Sequence, residues 1–157
     1  KRARTTSGPR RRFLRIDHEE RIAFGMKTDE KNPQDWLFLA RERLQAADAL
    51  FLSLGVTYSG VELLQESVER FLKAYLISKS WELQKIHNLS TLLDHAVALD
   101  ERFKDHADLC ESLTVQFWAQ HYPGDDLSEV GFDYPELRQM AGELIALIER
   151  EINETQP

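Results

Sequence analysis

Residues 57–80 read TYSGVELLQESVERFLKAYLISKS. At 100° per residue, this stretch gathers Val61, Leu64, Val68, Phe71, Leu72 and Tyr75 on one side, and Leu63 and Ala74 widen the apolar arc to roughly half the circumference. A helix that apolar is expected to lie at the centre of its domain and to touch several others. What remains is one narrow polar strip in which Gln65, Glu69 and Lys73 recur at i, i+4 and i+8. The spacing of Glu69 and Lys73 is that of an ordinary helical ion pair worth a few tenths of a kcal/mol. The strip is also the place where chemistry, if there is any, is expected to border.

Upstream, Asn32 reads as an N-cap with Pro33 at the first helical position, where a missing N–H costs nothing. Trp36, Ala40, Leu44, Ala47, Phe51 and Leu54 then give a helical stripe that Gly55 stops. So short a link to the central helix predicts an antiparallel hairpin. Leu37, Phe38 and Leu52 fall off that stripe and predict an exposed patch for dimerisation. Downstream, Trp81–His87 (WELQKIH) is too short and mixed to form an element. Asn88 caps a third helix facing inward through Leu89, Leu92, Leu93, Ala96 and Leu99. Asp100 is expected to cap a fourth, with Phe103, Leu109, Leu113 and Phe117 inward, ending at Tyr122-Pro123-Gly124. After an acidic loop over 125–132, Asp133 and Glu136 bracket Pro135 at the start of a last helix lined by Leu137, Met140, Leu144, Leu147, Ile148 and Ile152. The sum is an all-α protein, an up-and-down antiparallel bundle of about five helices over residues 32–154.

With 157 residues, 42% of them hydrophobic, the chain suits one compact domain plus a tail. Residues 1–31 read as that tail, basic and disordered or foreign to the native protein, with Gly25-Met26 as a plausible start. Within residues 1–25, eight Lys or Arg stand against three acidic groups, a net +5; the net −7 of the whole chain leaves −12 for the rest. A basic arm of that kind binds RNA only non-specifically and loses the affinity in salt. No apolar run reaches the 18 or more residues that a membrane span needs, and no secretory signal follows the basic start, so a cytoplasmic location and no membrane partner are expected. Cys110 is the only cysteine, which excludes an intrachain disulfide and a cysteine zinc cluster.

His106 and Cys110 stand one helical turn apart, but no third ligand accompanies them, so neither a metal nor a cofactor is expected. No Ser-His-acid order and no glycine-rich phosphate loop occurs. Lys85 and His87 precede the third helix, and His121 and Tyr122 end the fourth. In an antiparallel bundle such helix ends can converge on the strip, where a histidine beside a tyrosine and a lysine could bind or cleave a phosphodiester. The ligand-binding set expected is therefore Gln65, Glu69, Lys73, His87, His121 and Tyr122.

Taken in order, these motifs resemble the HEPN family, small all-helical domains, from about Asp35 to Ile152. Trp36, Leu39, Ala40, Leu44 and Ala47 resemble its first helix. Gln65, Glu69, Leu72, Lys73, Ala74 and Leu76 match Q-x-x-x-E-x-x-L-K-A-x-L; Lys85, His87, Leu89 and Leu92 match K-x-H-x-L-x-x-L; and Tyr122-Pro123 resembles its R-Y-P element. The resemblance implies a helical bundle, commonly a homodimer, associated with nucleotide or RNA binding. It also implies that some members are metal-independent ribonucleases using an R-x(4 to 6)-H pair, often toxins silenced by a nucleotidyltransferase partner. This chain departs from that pattern. His121 replaces the Arg of R-Y-P, and Thr114, Val115 and Gln116 occupy the positions where the paired Arg would stand. Arg102 and His106 are one residue too close, though an α-helix would turn both the same way, and Arg12 and His18 fit the spacing only within the tail. The catalytic candidates are thus His121, Arg102 and His106. The expected function is a dimeric nucleotide- or RNA-binding module; the alternatives are a toxin ribonuclease with a degenerate motif and a protein-interaction module.

Overall fold

The computed structural model describes residues 27–120 and 133–154, and of 116–120 the backbone alone. Five α-helices and one 3₁₀ segment follow one another with no strand among the described residues. They form an up-and-down helical bundle. Helix α1 spans Pro33–Leu54, opened by Asn32, whose side chain accepts from the Gln34 N–H, and closed by Gly55 at φ 74°. Helix α2, Tyr58–Ser78, is capped by the Thr57 hydroxyl, which accepts from Gly60 N–H at 3.0 Å. A Cβ on Gly60 would lie 3.1 Å from that hydroxyl, so the cap itself calls for glycine there. Helix α3 spans Leu89–Leu99, a 3₁₀ segment Glu101–His106, helix α4 Ala107–Gln120 and helix α5 Tyr134–Glu154.

Helix α2 is the axis: it packs on α1, α3, α4 and α5, most extensively on α1. Val61, Leu64, Val68, Phe71, Leu72, Ala74 and Tyr75 are all buried, and Leu63 packs against the core from its edge. The α1–α2 hairpin is antiparallel, fixed by Ser67 Oγ donating to Ala40 O at 2.9 Å and by an Arg43–Glu66 ion pair at 2.8 Å. Helix α5 runs antiparallel to α1 through Arg41–Glu149 and Arg138–Asp48, and Tyr134 stacks on Phe51 with centroids 4.7 Å apart. Its apolar side is as expected, with Met140 only partly buried.

The hairpin shifts the α1 stripe. Leu37 is 2% exposed, so it belongs to the core rather than to a dimer patch, and the seam runs Leu37, Ala40, Leu44, Ala47, Phe51 at alternating steps of three and four. Trp36 flanks that seam and Phe38 is half-buried, which leaves Leu52 as the exposed member of the predicted patch. Leu54 and Leu99, expected inward, are 66% and 54% exposed. Each is the last residue of its helix and overhangs the surface it would pack on, because periodicity sets the direction of a side chain and not the reach of its partner. Asp100 does act as a cap, accepting from Arg102 N–H at 3.0 Å. The element it opens is a tight 3₁₀ segment, however, and the α-helix begins only at Ala107. Phe103, Leu109 and Leu113 point inward as expected, whereas the Phe117 side chain and the Tyr122-Pro123-Gly124 break lie outside the described residues.

Candidate functional site

The polar strip of α2 is not a wet surface. Gln65 is 2% and Lys73 4% exposed: the chain leaving α2 doubles back along the strip to Gln65, and Trp36 of α1 lies against Lys73. The reversal is made at Ser80, at φ 66°, with Trp81 N–H bonded to Leu76 O and Ser80 N–H to Ile77 O, the paired bonds of a Schellman turn with serine where glycine is usual. Residues 81–88 then run antiparallel to α2 with no helix or strand of their own. Trp81 and Ile86 pack on the core, and the Trp81 ring lies 5.7 Å from that of His95 on α3.

At the far end of this strap, His87 meets the strip. Its Nδ1 lies 3.2 and 3.3 Å from the two Glu69 carboxylate oxygens, and its carbonyl accepts from Gln65 Nε2 at 3.3 Å. Glu69 Oε1 also accepts from Lys73 Nζ at 2.7 Å. The ammonium in turn sits 5.7 Å from the centroid of Trp36, whose indole N–H donates to Glu30 O at 2.8 Å. A lysine this enclosed is tolerable because a carboxylate and an aromatic face replace its water. Gln65 Oε1 is enclosed too, and it finds no hydrogen-bond partner among the described residues. Trp36 also lines a cleft of about 750 Å³, bordered by Asp29, Glu30 and Asp35, with Lys27 the one cation among the described lining residues. Three carboxylates there disfavour an anion.

The structure thus brings together Gln65, Glu69, Lys73 and His87. His121 and Tyr122 lie outside the described residues. Trp36 is a contributor that its spacing assigns only to the core; its place two turns before Leu44 on the hairpin partner gives no hint that it would cover Lys73. The buried Ser67 bond carries no signal in the sequence either.

Arg102 and His106 are separated. They lie on a 3₁₀ segment, where four residues advance about 480° and so leave two side chains about 120° apart. Arg102 is clamped by Asp100 and by Glu151 Oε1 at 2.6 Å, contacts that push its guanidinium pKa up. The same hydrogen bonds hold the Asp100 carboxyl below its ordinary range. His106 is half-buried, which pulls its pKa down against the opposing fields of Asp105 and Glu143. Burial also pushes the Cys110 thiol up to about 12. Among the described residues no three His, Cys, Asp or Glu side chains converge as a metal site. No described helix is long and apolar enough to cross a membrane.

Fold and site together define a helical bundle with a covered polar seam along its central helix. The family model for the HEPN domain matches residues 33–154, and the chain belongs to the HEPN family. No curated protein and no solved structure matches it.

Proposed function

We propose that this HEPN chain is a dimeric nucleotide- or RNA-binding module rather than an Arg/His ribonuclease. The observation that carries the reading is the seam: an enclosed ammonium at Lys73, an enclosed acceptor at Gln65 Oε1 without a partner, and His87 poised between them and solvent. Lys73 suits a phosphate oxygen and Gln65 Oε1 suits an exocyclic base amine. Against nuclease chemistry stands the lack of any Arg five to seven residues before His121, while Arg102 is neutralised by two carboxylates and turned from His106. A catalytic pair has to be held in register on its substrate.

Thermal shift in millimolar nucleotide tests the binding, since a ligand of the folded state alone raises the midpoint. An unmoved midpoint removes the binding reading. Labelled RNA incubated with the protein and with His121→Ala and His106→Ala tests the chemistry. Cleavage lost in either variant would restore the toxin reading and with it a nucleotidyltransferase-type partner. The exposed Leu52, Leu54 and Val56 at the hairpin tip favour association, and light scattering at micromolar concentration is expected to give twice the monomer mass.

A further inference from the structure

We infer that residues 81–88 are a proton-controlled strap, pinned shut over Gln65 and Lys73 by charge on His87. The inference rests on the proposed binding seam only for its consequence, access to that seam.

The strap is held at two ends by different physics. At its start Trp81 is fixed by the Schellman bonds and by packing, including the His95 ring. At its end the side-chain bonds to α2 are those of His87, whose imidazole is 70% exposed while the Glu69 carboxylate it reaches is 12% exposed. The partner is thus largely enclosed, and the imidazole is open to water. Histidine changes charge between pH 5 and 8. When His87 carries a proton, the contact is a charge-assisted bond to an anion shared with Lys73. When it is neutral, an ordinary hydrogen bond to Glu69 remains. Between the two bonds, Ile86 is the apolar anchor, and Glu82, Leu83, Gln84 and Lys85 are exposed.

The charged groups around the contact are Lys73, bonded to Glu69, and Arg70, which feels its field, with Lys85 on the strap itself. The second histidine against the strap is His95 on α3, whose ring lies 5.7 Å from that of Trp81. Losing the charge-assisted part of the His87 bond is expected to raise the open population about five-fold. Acid closes the strap, and neutral to alkaline solution loosens it.

A nitroxide on Gln84→Cys reads this directly. Position 84 is exposed, and Cys110 is fully buried and does not compete for the label. On the full chain, the mobile fraction of the electron paramagnetic resonance line is expected to grow about five-fold from about pH 5.5 to about pH 8. With His87→Ala added, the label is expected to be mobile at both. A line that does not change with pH overturns the inference. So does an immobile label in the His87→Ala protein, or a pH response that survives His87→Ala, which would belong to His95. The label reports the strap whether or not any nucleotide binds, so failure of the binding proposal leaves the measurement intact.

Discussion

Two charge clusters offered themselves as sites, one on α2 and one at the start of the α3–α4 connection, and the bundle treats them oppositely. Glu69 and Lys73 are 12% and 5% exposed in their side chains, whereas Arg102 is 54% exposed beside Asp100 and Glu151. The contacts are similarly short in both. In the enclosed pair each partner depends on the other, because neither can turn to water. In the open cluster the cation is the exposed member, so solvent screens its ties to the less exposed Asp100 and Glu151. Enclosure, not contact distance, makes the first a place where a ligand's charge could matter and the second a surface tie.

The largest test of that contrast is Glu69→Ala, which strands the Lys73 ammonium. Denaturant unfolding is expected to lose about 3–5 kcal/mol, and Glu69→Gln with Lys73→Met to recover most of it. An effect below about 1 kcal/mol would place the pair with the surface ties. Next comes Cys110, the enclosed thiol one turn beyond His106. Below about pH 8.5 the folded and unfolded chains both keep its proton. Above that, the unfolded chain releases the proton while the folded one holds it to about 12, so stability falls with rising pH. Unfolding at about pH 10.5 is expected to show a loss of about 3 kcal/mol that Cys110→Ala removes. Tyr134, also raised to about 12 by burial, adds to the alkaline loss at higher pH and remains in that variant.

Smaller in size, Ser80→Gly sharpens the account of how the strap is launched. Its φ of 66° strains serine and not glycine, and thermal unfolding is expected to show about 0.5–1 kcal/mol of added stability. Smallest of all, Arg102→Ala is expected to cost less than about 1 kcal/mol in denaturant unfolding, since the guanidinium is 54% exposed and solvent screens its ties. A large drop there would erase the distinction between the clusters.

How much was legible divides along the same line. The caps at Asn32, Thr57, Asn88, Asp100 and Asp133 lie within one turn of the groups they satisfy, so sequence spacing suffices to find them or to make sense of them. The core arc of α2 and the family's motifs are likewise local. Leu37, Leu54 and Leu99 show where this fails, since whether an apolar face is covered depends on where the neighbouring helix ends. Arg102 and His106 show it again: their spacing suits an α-helical pitch, and the chain adopts a tighter one.

The amino-acid order alone determined five helices, the buried arc of α2, the family's motifs and the line Gln65, Glu69, Lys73, because each follows from spacing along the chain. Only the tertiary structure decided that this line is roofed, that Trp36 and His87 complete it, and that Arg102 is tied away. Those outcomes depend on which distant segment comes to lie against which, and on the water thereby excluded; neither quantity is written in the period of a sequence.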